Sequence, residues 1–296
     1  MNQLIPLSFH NKISLTIKRE DLLHPHISGN KYRKLKYNIA EAINQGSSTL
    51  LTFGGAYSNH IAAAAAAGKK YGLNIIGIIR GDELQDKAMH NPTLKFAADC
   101  GMKLHFISRE AYREKHTPEF IAHLQREFGE FYLLPEGGTN ALAIKGCEEI
   151  LRGEDSAFTH ICCAVGTGGT VSGIIKSAGG GQQVLGFPVL KNEALLDDIT
   201  KFAGQGNWKL VNNYHFGGYG KVTEELVAFM NSFYEKTGIP LDPVYTAKMV
   251  FGVIDMAGKG CFPENSRILM IHTGGLQGIE GMNRELKRKK LSLIKI

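Results

Sequence analysis

The stretch HICCAVGTGGTVSGII, residues 160–175, decides how the rest of the chain is read. Its first part, HICCAV, is an apolar run of strand length. Gly166, Gly168 and Gly169 then permit a tight turn, and a helix is expected from near Thr170. A strand that passes through a glycine turn into a helix is the unit of a parallel α/β sheet. The first amides of that helix have no partner within it, and the hydroxyls of Thr167 and Thr170 add donors, so the turn is suited to an anion. A dinucleotide fingerprint would need glycine at position 171, which is Val171. A triphosphate-binding loop would need Ser or Thr after a Gly-Lys pair, and the chain has none. A small phosphate monoester fits better than either.

The same alternation extends outward. Apolar, β-rich runs predict strands over 49–53, 74–79, 103–107, 131–134, 160–165, 183–187 and 267–272. Helical patterns fall between them over 59–71, 92–100, 118–128, 140–151, 193–202, 224–236 and 247–257. Strands that are apolar throughout are buried on both faces, as in a parallel sheet covered by helices. No internal repeat of about 20–50 residues is present, and SAGGGQQ (177–183) is a turn-like connection. Glycine turns follow three strands: FGGAYSNH (53–60), VGTGGTVSG (165–173) and HTGGLQG (272–278). Ligands of open parallel sheets bind beyond the carboxyl ends of the strands, so three such turns predict one shared site.

Composition narrows the function. Of the 296 residues, 43% are hydrophobic and 21% charged, which excludes a disordered chain. The net charge of +6 comes largely from the final RELKRKKLSLIKI (284–296), which reads as a solvated helix end. No aromatic-interleaved basic patch accompanies it, so neither nucleic acid nor membrane is an expected partner. The apolar IAAAAAAG (61–68) is too short to span a bilayer. Cys100, Cys147, Cys162, Cys163 and Cys261 make no C-x-x-C pair and no zinc spacing, so no metal is expected. Their odd count, and a start without a basic or apolar leader, predict a reducing, cytoplasmic setting.

Two further stretches carry chemistry. In SGNKYRKLKYNI (28–39), Arg33, Lys34 and Lys36 read as ordinary solvated helix charges, whereas Lys31 stands at the helix start. Ser28 or Asn30 can cap that helix. A helix N-terminus disfavours a cation, and a neutral lysine amine is a nucleophile toward carbonyls. An exposed lysine in a basic helix is the plain alternative. A carbonyl compound bearing one phosphate, pyridoxal 5′-phosphate (PLP), would satisfy both Lys31 and the glycine turn. In GGAYSNH (54–60), Ser58, Asn59 and His60 lie at a strand-to-helix turn whose amides can hold a carboxylate, such as that of an amino acid. Asn59 could donate to the phenolic oxygen of the cofactor, and the alanine run beyond it suggests close helix packing.

SGNKYRKLKYNI, GGAYSNH, GTGGTVSG, GGYGK (217–221), LDPVYTAKM (241–249) and ILMIHTGG (268–275) together resemble the 1-aminocyclopropane-1-carboxylate deaminase / D-cysteine desulfhydrase family. These are PLP enzymes of the tryptophan-synthase-β fold type. The resemblance implies two open twisted-sheet α/β domains with a PLP cleft between them: residues 1–35 with 139–296 as the large cofactor-binding domain, and 36–138 as a small mobile one. It implies Lys31 as the lysine that bonds the cofactor's aldehyde carbon and moves the substrate proton, and Asn59 as the partner of the cofactor oxygen. Ser58 and His60 match substrate-contacting positions. Gly166, Thr167, Gly168, Gly169 and Thr170 match the phosphate loop. Tyr219 and Tyr245 match two active-site tyrosines, the latter against the cofactor ring.

Ring-opening deaminases resemble DPVYEGK and HLGG where this chain has Thr246 and Thr273. A carboxylate facing the cofactor's ring nitrogen makes a deeper electron sink than a hydroxyl does. Both threonines therefore point to β-elimination from D-cysteine rather than to opening a cyclopropane. The deaminase, a serine deaminase or racemase, and a non-catalytic PLP-binding protein are the alternatives. Tyr57 stands where the family usually has glutamine and Ala247 where it has glycine, and the chain is shorter than typical members near residues 177–183. The resemblance also implies a homodimer.

Overall fold

The computed structural model describes every residue of the chain except His10 and Lys191. Its strands are β1 (Asn2–Ile5), β2 (Ser14–Lys18), β3 (Thr49–Gly54), β4 (Asn74–Arg80), β5 (Lys103–Ile107), β6 (Tyr132–Leu134), β7 (His160–Val165), β8 (Gln183–Pro188), β9 (Trp208–Leu210) and β10 (Arg267–Ile271). Its α-helices are α1 (Asn30–Asn44), α2 (Asn59–Tyr71), α3 (Pro92–Asp99), α4 (Pro118–Phe128), α5 (Ala141–Glu148), α6 (Gly169–Ser177), α7 (Leu195–Ala203), α8 (Glu224–Thr237), α9 (Thr246–Gly258) and α10 (Gly278–Arg288).

The strands form two sheets. The larger runs β1-β2-β10-β7-β8-β9, and the smaller runs β5-β4-β3-β6. Only β1 against β2 is antiparallel. All other pairs are parallel, so each strand returns through a helical crossover. The α/β architecture expected from the sequence is the one adopted.

The opening strand shows why its residues are apolar throughout. Ile161, Cys163 and Val165 of β7 pack on one face with Val171 and Ile174 of α6. Cys162 and Ala164 pack on the other with Met249 and Val253 of α9. In the smaller unit, α2 buries Ala62 to Ala67. A side chain added at Gly68 would come within 2.1 Å of Ile75, so the small residues there serve close packing.

Helix α1 departs from the sequence reading. Arg33 and Lys34 are buried, not solvated. Arg33 forms an ion pair with Glu20 at 2.8 Å and reaches Glu149 at 3.4 Å. Lys36 alone behaves as expected, exposed and paired with Glu149 at 2.7 Å. The basic end of α10 is a solvated helix terminus in which Arg288 and Lys289 meet Glu285. Among the described residues no helix is long and apolar enough to cross a membrane. The five cysteines are all unpaired.

Candidate active site

Three helices begin beside one cavity of about 960 Å³, at the carboxyl ends of β3, β7 and β10. Each start is built differently. Helix α1 begins after Gly29, whose φ of +60° and ψ of −136° suit glycine alone. A side chain there would lie 2.0 Å from the Thr273 carbonyl oxygen, so Gly29 locks the helix start against the end of β10. Neither Ser28 nor Asn30 caps α1, contrary to expectation. The Ser28 hydroxyl donates to the Asp21 carbonyl at 3.3 Å, and Asn30 Nδ2 donates to Thr170 Oγ1 at 2.7 Å. Asn30 therefore ties the start of α1 to the start of α6.

Lys31 projects from this start into the cavity, with Nζ donating to Asn30 Oδ1 at 3.2 Å. Burial first, and the charge of Lys34 second, push its amine down from 10.5 to about 7. Lys34, one turn on, donates to the Gly137 carbonyl and to Thr139 Oγ1, each at 2.9 Å. Its Nζ lies 3.2 Å from where a Gly169 side chain would be. A cation thus stands at the mouth of the glycine turn, at a position that the sequence reading assigned to solvent. The i, i+3 spacing from Lys31 put both amines on one helix face and was the available signal.

In the turn itself, β7 ends at Val165 and α6 starts at Gly169. Gly166, Thr167, Gly168 and Thr170 line the cavity. Gly169 does not line it, but opens the helix. Gly168 takes φ +83°, and Thr167 Oγ1 meets Thr139 Oγ1 at 2.6 Å. The Tyr245 ring covers the entrance, 3.1 Å from where a Gly166 side chain would begin. Tyr219 packs edge-on against Tyr245, with ring centroids 6.1 Å apart. Loss of surrounding water raises the titration points of both phenols, although Tyr219 as a residue is half exposed, so both keep their protons at neutral pH.

Helix α2 is capped by Ser58, whose Oγ accepts from the Ile61 amide at 3.3 Å. Asn59 lines the cavity and is held from both sides. Its Oδ1 accepts from Gln277 Nε2, and its Nδ2 donates to Asp242 Oδ2 at 3.4 Å. Asp242 is fully buried, which raises its carboxyl from 3.8 to about 6, and it also accepts from the amides of Val244 and Tyr245. Neither Asp242 nor Gln277 was singled out in the sequence, because a lone Asp before a Pro carries no signal without the contact.

Two expected roles change. His60 is buried, and Thr52 Oγ1, which donates to the Leu134 carbonyl, accepts from its Nε2 at 2.8 Å. That network assigns the proton to Nε2 and leaves Nδ1 an acceptor without a partner. Burial, then Lys31 and Lys34, keep the ring neutral. His60 consequently offers no donor to a carboxylate. Thr246 does not line the cavity. Its Oγ1 accepts from the Asp242 amide at 2.7 Å and donates to the Asp242 carbonyl at 3.3 Å, closing the turn that starts α9. Thr273 does line the cavity.

The site therefore joins an amine that is half neutral near pH 7, a glycine turn under a buried lysine, and two protonated phenols. PLP fits this set. Lys31 would bond its aldehyde, Lys34 and the 166–170 turn would hold its phosphate, and Tyr245 and Asn59 would flank its ring. Among the described residues no group of side chains is arranged for a metal ion.

Comparison with known proteins agrees. Residues 2–274 match the family model described as pyridoxal-phosphate dependent enzyme. A putative 1-aminocyclopropane-1-carboxylate deaminase of Pyrococcus horikoshii is 32% identical, over 88% of this chain and 84% of that protein. A mitochondrial bifunctional D-cysteine desulfhydrase/1-aminocyclopropane-1-carboxylate deaminase of Arabidopsis thaliana is 35% identical, over 91% and 74%. A D-cysteine desulfhydrase of Serratia proteamaculans is 27% identical, over 93% and 90%. The crystal structure of an ACC deaminase homologue superposes with a TM-score of 0.81 at 29% identity, covering 97% of this chain and 93% of that one.

Proposed function

The chain belongs to the pyridoxal-phosphate-dependent enzyme family, in the branch of the deaminases and desulfhydrases, and on that premise we propose that it removes the β-thiol from D-cysteine. The products are pyruvate, hydrogen sulfide and ammonia. The observation that carries the reading is Thr273, a residue with a neutral hydroxyl that lines the cavity holding Lys31, just past the end of β10. A hydroxyl partner leaves the cofactor's ring nitrogen neutral, which suffices to expel a good leaving group and disfavours breaking a carbon ring. At Thr246, where the pattern of ring-opening deaminases has glutamate, the chain has no carboxylate to keep that nitrogen protonated, and the hydroxyl there serves the α9 turn instead.

When bound, the cofactor supplies a sink for the electron pair left on the substrate's α-carbon. The chain supplies the rest. The free amides at the start of α2, with Ser58, hold the substrate carboxylate. Lys31, neutral in about half the molecules near pH 7, takes the proton from the α-carbon. The carbon–sulfur bond breaks with its electron pair on sulfur. Tyr219, whose phenol keeps its proton and lines the cavity, delivers a proton to that sulfur. Water then converts the remaining enamine to pyruvate and ammonia. Closure of the unit that carries Ser58 over the larger sheet keeps the carbanion from bulk water.

The test is a panel on the purified yellow protein. Pyruvate and sulfide from D-cysteine, without 2-oxobutyrate from the cyclopropane amino acid, support the reading. Faster release of 2-oxobutyrate than of pyruvate overturns it in favour of the deaminase. Turnover of serine alone would replace it with a serine deaminase.

A further inference from the structure

The cavity is larger than its proposed contents. Even at about 30 Å³ per heavy atom, the share of a whole water molecule in the liquid, the cofactor and cysteine together need no more than roughly 700 Å³. The cavity holds about 960 Å³, and Arg80 and Leu84 form part of its wall.

Arg80 is the last residue of β4. Its Nη2 lies 3.6 Å from where a side chain on Gly55 would begin, so the guanidinium sits beside the first residues of the GGAYSNH turn. One face of it lies over the Tyr112 ring, 5.7 Å from the centroid. Its positive field reaches the phenols of Tyr112 and Tyr219. Two neighbouring charge pairs are already closed, while Lys87, which also lines the cavity, makes no ion pair among the described residues. Arg109 meets Glu83 at 2.6 Å, and Glu136 accepts from Tyr112 at 2.8 Å and meets Lys115 at 3.4 Å. Among the described residues no carboxylate lies within ion-pair distance of Arg80. A guanidinium fixed by an aromatic face and left without an anion is suited to bind one from solution.

From this arrangement we infer that Arg80 binds a second acidic group, carried on the substrate's side chain, so that the cleft accepts amino acids with an anion beyond the β-carbon as well as cysteine. The inference rests on the amino-acid reading of the cleft given above. The substrate's own carboxylate is assigned to the start of α2, and Arg80 lines the same cavity beside Gly55, within reach of a longer substrate.

Homoserine and homocysteate, each in both hands, provide the test. They share a backbone and differ in a terminal hydroxyl or sulfonate, and neither carries a leaving group on its β-carbon. Binding is followed by calorimetric titration of the PLP-loaded protein, so the result does not depend on whether D-cysteine is turned over. A charge-assisted pair contributes about 1.5–3 kcal/mol, so homocysteate should bind roughly 10–100 times more tightly than homoserine. Arg80→Gln should erase that preference, and Arg80→Lys should keep part of it. Equal affinities in the unaltered protein overturn the inference, as does a preference that survives Arg80→Gln. Loss of affinity for both ligands by the same factor in Arg80→Gln would overturn it too, since Arg80 would then be holding the carboxylate they share. If neither D-cysteine nor the cyclopropane is turned over but homocysteate is still preferred, the proposed reaction fails and this inference stands.

Discussion

Replacing Gly29 by alanine should be among the most damaging single-carbon additions in the molecule. Two costs are combined at this position. A non-glycine residue at φ +60° and ψ −136°, outside the left-handed helical region, costs about 1–3 kcal/mol through its own backbone. The added carbon would also stand 2.0 Å from the Thr273 carbonyl oxygen and 2.6 Å from the Gly274 nitrogen, where an ordinary carbon–oxygen contact is about 3.3 Å. Both neighbours are backbone, so the strain goes into α1 or β10, at about 1–3 kcal/mol for overpacking. The sum is roughly 2–6 kcal/mol. Gly72 is the control. It also has a positive φ, +70°, but nothing lies within 4 Å of its missing side chain. Gly72→Ala should cost only about 1 kcal/mol, partly offset by about 0.4–1 kcal/mol from a stiffer unfolded chain. Urea unfolding of the cofactor-free proteins gives both numbers, and visible absorbance after dialysis reports cofactor retention. Because Gly29 fixes Lys31 and Thr273 relative to each other, Gly29→Ala should also bleach, while Gly72→Ala stays yellow. Equal stabilities and equal colour would refute the claim that this contact assembles the site.

Lys31→Ala should lose both colour and turnover, and borohydride treatment of the unaltered protein should leave a pyridoxyl label on Lys31 in a peptide mass map. Lys34→Gln removes the second cause of the low Lys31 titration point, so that point should rise above 7, and PLP should be lost on dilution at least tenfold more readily. In the cofactor-free protein, the folded state binds fewer protons at Lys31 than the unfolded chain does between about 7 and 10.5, so stability should climb with pH across that window. Lys31→Met should flatten the climb in urea melts. Asp242 behaves oppositely: with its carboxyl raised to about 6, the folded state holds the extra proton between 3.8 and 6, and stability falls as pH rises through that range. Asp242→Asn should remove that fall, and should lower cofactor affinity by releasing Asn59.

The parts of the fold that were legible are those with one dominant signal. Strands β3, β4, β7, β8 and β10 announce themselves because burial on both faces makes them largely apolar. Strand β2 was missed for the converse reason. It ends in Lys18, which looks like a surface residue yet is buried against Asp155 at 2.6 Å. The short edge strands β1 and β9 carry too few apolar residues to show a period. In the site, residues that belong to a turn motif could be named in advance. Those defined by a partner far along the chain could not. Asn30 meets Thr170, Asn59 meets Asp242 and Gln277, and Lys34 meets Gly137 and Thr139. Thr246 was misplaced because two adjacent residues at a helix start face different ways, and only Tyr245 faces the cavity.

The lysine reading shows where sequence logic reached the right residue by an incomplete cause. A helix terminus carries a partial charge worth about 0.3–1 kcal/mol, and up to about 2 kcal/mol when partly buried. Moving an amine from 10.5 to about 7 corresponds to roughly 5 kcal/mol. The terminus alone falls short by more than half. Burial is the larger cause and a second lysine the next, and neither is a property of the peptide SGNKYRKL by itself. Both arise because α1 starts inside the molecule, with Gly29 pressed against β10 and Asn30 tied to α6. The same start on an exposed helix would leave Lys31 a charged surface residue. The reactive amine is therefore made by the meeting of α1, α6 and β10, and the glycine that permits their approach is as much a part of the chemistry as the lysine beside it.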